Sequence, residues 1–171
     1  KLLVNKNFDF SKFIIFGCSS IIRKELEKYK IKVPIKTFTN IKQIKSVSDS
    51  VLFFEPKKYD FKFTMGELNP ECGLLAYEAI LNSIKFANKG LIKAIVTAPI
   101  NKESFKLASI KFIGHTEILS EKTNSYDVHM LMVNDDIKII LCTIHVPLLK
   151  AILMLDQKLI LKTILAAKIA C

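Results

Sequence analysis

Short apolar runs alternate with amphipathic stretches along most of the chain, the pattern of strands alternating with helices. Runs of this kind predict buried strands at residues 12–18, 33–38, 51–55 and 92–97. After the first run, Ser19 or Ser20 is expected to cap a helix that continues to about Lys30. Two later runs, 127–133 and 137–143, are separated by three polar residues and predict an antiparallel hairpin.

The clearest helix signal lies in the middle of the chain. In the sequence Asn69-Pro70-Glu71, Asn suits the cap, Pro suits the first helical position, and Glu meets the positive end of the helix dipole. We expect this helix to reach about Lys89, with Gly90 ending it in a left-handed conformation. Its buried stripe is predicted to be Leu74, Tyr77, Leu81 and Ile84. Further helices are predicted at 101–108, 116–122 and 157–170.

These elements together predict an α/β fold, with helices on the faces of a sheet and one antiparallel hairpin. No Gly-x-Gly-x-x-Gly sequence is present, so a Rossmann-type dinucleotide site has no support. The chain begins at Lys1 and ends at Cys171 within an apolar stretch. We therefore expect it to be part of a longer polypeptide that leaves some apolar surface uncovered.

The charge of the chain adds little to the prediction of its binding partners. The net charge is +10, but Arg23 is the only arginine among 26 basic residues, and the lysines are scattered. Base readout and bidentate phosphate binding favour arginine, so we expect no nucleic-acid partner. The positive charge should still favour anionic substrates.

The cysteines and the most apolar region indicate where in the cell the protein is expected to lie. Residues 18, 72, 142 and 171 are cysteines, and no pair has the Cys-x-x-Cys spacing of a zinc or redox site. Free thiols and a cytoplasmic location are therefore expected. Charged residues and a proline interrupt the apolar region 137–170, whereas a membrane span needs about 20 nearly uninterrupted apolar residues. We expect no membrane association.

Three polar segments directly follow predicted strands or lie in nearby loops, where open α/β sheets bind ligands. They are residues 97–102, 114–117 and 143–148. Each also has a purely structural interpretation, since such residues cap helices and form turns. For His145, a hydrogen-bonded turn histidine is the structural alternative, and for Lys102 it is a solvated helix residue.

Four sequences in these regions resemble the central part of the 4-hydroxythreonine-4-phosphate dehydrogenase family. They are GELNPECGLLAYEAI, VTAPINKE, GHTEIL and TIHVPL, in the family's order, and His115 and His145 have the family's spacing. The resemblance implies a three-layer α/β/α architecture like that of isocitrate and isopropylmalate dehydrogenases, here incomplete. Residues 1–62 would form part of a first α/β domain, and residues 63–171 the main part of a second.

The resemblance also implies chemistry. Family members oxidise 4-(phosphooxy)-L-threonine with NAD or NADP in pyridoxal phosphate synthesis, use a divalent metal (Zn, Mg or Co), and are homodimers. By resemblance, His115 and Thr116 contact the substrate, and His145 is the first of three metal-binding histidines. A divalent cation would stabilise the alkoxide from which hydride leaves. No catalytic base and no cofactor-binding residue is assigned.

Departures from the family pattern limit what this chain does alone. The family's early glycine-rich segment and its second and third metal histidines are absent, and Ile144 stands in place of a usual threonine. Since catalytic metal sites usually need about three protein ligands, we expect the chain alone to be inactive. The alternatives are a dehydrogenase of phosphorylated threonate or erythronate, and a non-catalytic remnant that binds a partner or a phosphorylated ligand.

Overall fold

The computed structural model describes residues 9, 12–43, 50–59, 62–125 and 127–170, which divide into two compact units at residues 123/124. This division differs from the domain boundary predicted after residue 62, which stays a prediction. The described strands and α-helices, in chain order, are β1 (Ile14–Phe16), α1 (Ser19–Lys28), β2 (Ile35–Phe38), β3 (Val51–Phe54), α2 (Pro70–Asn88), α3 (Lys102–Leu107), α4 (His115–Lys122), β4 (Leu131–Val133), β5 (Lys138–Ile140), α5 (Leu148–Met154) and α6 (Gln157–Ala170), and a 3-10 helix at Ile41–Gln43 lies between β2 and β3.

The first unit contains a parallel sheet with strand order β1-β3-β2. All four residues of the central strand β3 are buried, as its uninterrupted apolar sequence predicts. On one side of the sheet, four phenylalanines pack edge to face or tilted: Phe54 lies 4.6 Å from Phe86 of α2 and 5.3 Å from Phe38, between ring centroids. Phe16 lies 5.0 Å from Phe86. The aromatic residues thus attach α2 to the sheet.

The local signals for α2 are confirmed. The side-chain oxygen of Asn69 accepts hydrogen bonds from the backbone N–H groups of Glu71 (2.7 Å) and Cys72 (3.1 Å), and these satisfy donors that the first helical turn leaves unpaired. At the other end, Gly90 has φ +68°, the left-handed conformation expected there.

For one residue of the buried stripe predicted for α2, the prediction is wrong. Leu74 is 45% exposed, although Tyr77, Leu81 and Ile84 do pack against the core. The described residues leave Leu74 mostly uncovered near the start of α2, although it lies seven residues before Leu81 and on nearly the same side of the helix. The neighbouring Gly73 is where α3 approaches α2 closely, since a Cβ atom there would lie 2.4 Å from the backbone oxygen of Ser104.

A small core joins α2, α3 and α4. Its buried residues are Ile80, Ile84, Phe105, Phe112 and Ile118. Phe105 of α3 is 1% exposed and Ile118 of α4 is 0% exposed, so each of the two short helices is held by one fully buried side chain. The predicted helices at 101–108 and 116–122 are confirmed.

Two further predictions in this unit are wrong. Residues 92–97 form no strand, and no backbone hydrogen bond joins residues 92–100 to any other part of the described chain. The sequence has the composition of a strand, but a strand forms only beside a partner. Neither Ser19 nor Ser20 caps α1: Cys18 precedes the helix without a side-chain cap, and the Ser19 hydroxyl instead donates to Glu55.

In the second unit, β4 and β5 pair antiparallel as predicted. Asn134 closes the turn between them, because its side-chain oxygen accepts from the N–H groups of Asp136 and Ile137. The predicted helix 157–170 is confirmed as α6, whereas α5 was not predicted. None of the residues of α5 is buried, and in α6 only Thr163 is, so apolar side chains of both helices face solvent, as expected.

No helix in the described part of the chain is both long and apolar enough to cross a bilayer. Cys18, Cys72 and Cys142 are free thiols, as predicted. The fourth cysteine, Cys171, lies outside the described residues.

Candidate functional site

His115 and Thr116 are the first two residues of α4, which begins after Gly114. No side chain caps this helix. The carboxylate of Glu117 instead accepts a hydrogen bond of 2.7 Å from the backbone N–H of Ile113, which holds the incoming loop. The first N–H groups of α4 are therefore left without a side-chain acceptor, and a helix start of this kind attracts anions.

The second segment, residues 97–102, leads into α3. The side-chain oxygen of Asn101 accepts from the N–H of Ser104 at 2.8 Å, so Asn101 acts as a helix cap. Thr97, Pro99 and Lys102 are exposed. For Asn101 the structural interpretation holds, and Lys102 has the surroundings of a solvated helix residue.

His145 lies in the second unit, after β5 and before α5. Its side chain is exposed, and its backbone has φ +55°, which is uncommon for a residue other than glycine. The loop ends at Pro147, which precedes the first residue of α5. His145 is therefore accessible to a ligand and sits at a backbone position with an unusual conformation.

The donor set available to a metal ion is small. The described residues contain no group of three His, Cys, Asp or Glu side chains that could hold an ion. The remaining histidine, His129, lies before β4, and its Nε2 is 2.7 Å from Asp127, which also contacts Lys162 at 2.9 Å. The pair with Lys162, and then that with His129, lowers the pKa of Asp127. These contacts attach the segment before β4 to α6.

The sequence did not predict a group of polar contacts made by residues that come directly after β3. Ser19 donates to Glu55 at 2.7 Å, directly after β3. Glu78 of α2 accepts from Lys57 at 2.6 Å and from the Tyr59 hydroxyl at 2.9 Å. The only sequence signal was the position of Glu55 after a buried strand, and the partners are distant in sequence. The network connects the loop after β3 to α1 and α2.

Because of the contact between Tyr59 and Glu78, we expect the free energy of unfolding to depend on pH in the alkaline range. Partial burial, followed by the hydrogen bond to Glu78, raises the pKa of Tyr59 above its ordinary value of 10.0. As pH rises past 10, the unfolded phenol ionises while the folded one stays protonated, so the free energy of unfolding should fall. Tyr59→Phe should make this fall shallower in urea denaturation series between pH 8.5 and about 11. Tyr29→Phe controls for removing a tyrosine, and equal slopes for Tyr59→Phe and the parent would contradict the prediction.

Comparisons with known proteins cover nearly the whole chain. The family model described as "Pyridoxal phosphate biosynthetic protein PdxA" matches residues 9–171. A 4-hydroxythreonine-4-phosphate dehydrogenase from Beijerinckia indica is 44% identical over 88 residues, which are 52% of this chain and 26% of the relative. A putative D-threonate 4-phosphate dehydrogenase from Fusobacterium nucleatum is 29% identical over 153 residues, which are 88% of this chain and 46% of the relative.

Among solved structures, a 4-hydroxythreonine-4-phosphate dehydrogenase from Klebsiella pneumoniae matches with a TM-score of 0.85 and 26% identity. The match covers 98% of this chain and 51% of that one. The predicted α/β dehydrogenase fold is thereby confirmed. The chain spans about half the length of the solved protein and less than half of each of the two relatives.

Proposed function

Because this chain belongs to the family described as pyridoxal phosphate biosynthetic protein PdxA, we propose that it is part of a dehydrogenase that oxidises a phosphorylated hydroxy acid. The proposed substrate is 4-(phosphooxy)-L-threonine, and the proposed cofactors are NAD or NADP and a divalent metal. The match over residues 9–171 carries this proposal. A homodimer and a cytoplasmic location are proposed on the same family resemblance.

His115 and Thr116 are the proposed substrate-binding residues. They stand at the start of α4, where the uncapped backbone N–H groups and the helix dipole favour a negatively charged group. The substrate offers two such groups, a phosphate and a carboxylate. The fully buried Ile118 anchors α4 in its core, so these donors are fixed before the ligand arrives.

His145 is proposed as one ligand of the metal. Neutral imidazole is a suitable donor for zinc and related ions, and the side chain is exposed. A mononuclear catalytic site usually needs about three protein ligands, and the described residues contain no such group. The described residues therefore supply one ligand of a metal site and not a complete set of ligands.

From this incomplete donor set we propose that residues 1–171 alone have no dehydrogenase activity. The test is to incubate the purified chain with NAD, Mg²⁺ or Zn²⁺, and 4-(phosphooxy)-L-threonine while NADH absorbance is followed. Substrate-dependent NADH formation would contradict this proposal. Ligand binding without turnover agrees with it, and also with the alternative of a non-catalytic protein that binds a phosphorylated ligand.

A second candidate substrate is D-threonate 4-phosphate. The relative matched over 88% of this chain is named as a putative D-threonate 4-phosphate dehydrogenase, whereas the one named for 4-hydroxythreonine 4-phosphate is matched over 52%. The two substrates share the phosphate and carboxylate groups and differ in whether carbon 2 bears an amino or a hydroxyl group. Comparing the affinity of the chain for the two compounds separates these candidates.

We expect His115→Ala to weaken binding of the preferred compound by about tenfold, or about 1.4 kcal/mol. The reason is the loss of a polar contact beside the helix start. The measurement is a titration followed by backbone amide NMR, in which the chemical shifts of His115 and Thr116 in the parent should change most. His129→Ala is the control variant, since it removes a histidine that is not proposed to bind the substrate. Equal affinities for His115→Ala and the parent would contradict the assignment.

A further inference from the structure

His115 and Thr116 lie in a short stretch of chain between two buried side chains. Phe112 is 7% exposed and Ile118 is 0% exposed, and both belong to the core that joins α2, α3 and α4. Between them the chain passes from a loop into the first turn of α4, which begins after the extended Gly114. Packing therefore fixes the two ends of this stretch, whereas its middle, which contains the two proposed substrate-binding residues, is exposed or only partly buried.

A hydrogen bond joins the two ends of this stretch to each other. The backbone N–H of Ile113, which follows the first buried residue, donates to Oε2 of Glu117, which precedes the second, at 2.7 Å. This distance is typical of a strong hydrogen bond to an ionised acceptor. Because the bond connects the first and last of residues 113–117, it restricts the backbone torsions of the residues between them, including His115 and Thr116.

The bond corresponds to one half of a capping box. In a complete capping box, the residue before the helix binds an N–H group of the first turn, and an acidic residue at the third helical position binds back to the incoming chain. Glu117 is the third residue of α4 and binds back, whereas Gly114 has no side chain with which to cap the helix. Glu117 thus holds the incoming chain, while no capping side chain takes the N–H groups of the first turn.

We propose that Glu117 is a positioning residue, which holds His115 and Thr116 in the geometry that binds an anionic group of the phosphorylated hydroxy acid. The identity of this ligand rests on the proposed function, whereas the tethering of Ile113 can be measured without any ligand. Charge alone would give Glu117 the opposite effect, because a carboxylate near a bound anion repels it. Positioning and repulsion therefore predict changes of affinity in opposite directions when the carboxylate is removed.

The tethering is measured in the chain without ligand, by amide hydrogen exchange of Ile113 followed by NMR. Glu117→Ala should speed this exchange at least about tenfold, because the N–H loses its acceptor. Glu117→Gln keeps a side-chain oxygen that can accept from the same N–H, and its exchange should stay within about threefold of the parent's. Unchanged exchange of Ile113 in Glu117→Ala would overturn the proposal.

Binding is measured by titrating the parent and both variants with 4-(phosphooxy)-L-threonine and with D-threonate 4-phosphate. We expect Glu117→Ala to weaken binding of the preferred compound at least about fivefold, because the binding geometry would be populated only part of the time. Glu117→Gln should bind at least as tightly as the parent, since it keeps the hydrogen bond and removes a repelling charge. Equal weakening in the two variants would assign the effect to charge and overturn the proposal.

Glu121→Ala is the matched control, because Glu121 is a carboxylate one turn further along α4. Its partners are the side chains of Lys111 and Lys122, at 2.8 Å and 3.3 Å, and not a backbone N–H. Exposed ion pairs of this kind contribute little to stability, so the control should bind within about twofold of the parent or more tightly. Urea denaturation identifies conditions in which every variant is folded, so that a loss of stability does not change the measured affinity.

Failure of the proposed function and failure of the positioning role give different results. If the parent binds neither compound, the proposed substrates are wrong, and the role of Glu117 in binding them falls as well. If the parent binds one of them and Glu117→Ala binds it as tightly or more tightly, the proposed function stands and the positioning role is overturned. Faster exchange of Ile113 together with weaker binding in Glu117→Ala, both restored in Glu117→Gln, is the result that we expect.

Discussion

Replacing Phe105 with alanine is expected to lower the free energy of unfolding by about 3–5 kcal/mol, the usual cost of truncating a buried phenylalanine. Phe105 is 1% exposed and belongs to the core that joins α2, α3 and α4. Its ring also meets Tyr77 edge to face at 6.2 Å between centroids. Alanine is the better helix former, so any loss of stability must come from packing.

Urea denaturation followed by circular dichroism measures this loss. Leu107→Ala is the matched control, because Leu107 lies two residues away on the same helix and is 56% exposed. We expect the control to change stability by less than about 0.5 kcal/mol. Similar losses for the two variants would show that α3 is not held by Phe105. The prediction does not require any change in the phenylalanine cluster at the sheet, because Phe105 does not belong to that cluster.

Replacing Gly73 with alanine is expected to destabilise the chain by about 2 kcal/mol net. The added Cβ would lie 2.4 Å from the backbone oxygen of Ser104 and 2.6 Å from its carbonyl carbon. Both atoms belong to the backbone of α3, which a rotamer change cannot move, so overpacking should cost about 3 kcal/mol. The gain in helix propensity from glycine to alanine offsets about 1 kcal/mol of this cost.

Gly114→Ala provides a matched control for this substitution. Its added Cβ would have no atom within 4 Å, and its φ of −163° suits any residue. We expect a loss of about 0.5–1 kcal/mol in the same urea experiment, smaller than that of Gly73→Ala, because Gly114 is the N-cap of α4 and alanine is a poorer N-cap than glycine. A stabilised Gly73→Ala variant would mean that α3 moves aside freely, and would contradict the tight contact between α2 and α3.

The features that the sequence predicted correctly depend on local chemistry. Asn69, Pro70 and Gly90 mark the ends of α2 through their own conformational preferences, and Asn134 closes its hairpin with hydrogen bonds two and three residues away. The uninterrupted apolar run of β3 identified a strand. None of these features requires knowledge of a distant segment.

The features that were missed depend on partners far along the chain. Leu74 has the periodicity of a core residue, but periodicity alone does not show which turns of α2 other segments cover. The network around Glu78 joins residues about 20 positions apart, which no local pattern reveals. For the candidate site, the sequence located His115 at a helix start, but only the structure shows that its helix lacks a side-chain cap.

The conformation of His145 governs how its role should be studied. With φ at +55°, an alanine there would remove the imidazole and leave a residue poorly suited to that geometry, so two effects would be confounded. Asparagine tolerates left-handed backbone far better than most residues. A His145→Asn variant should therefore keep the loop intact while changing the donor, and the difference between the two variants would separate the contribution of the side chain from that of the main chain.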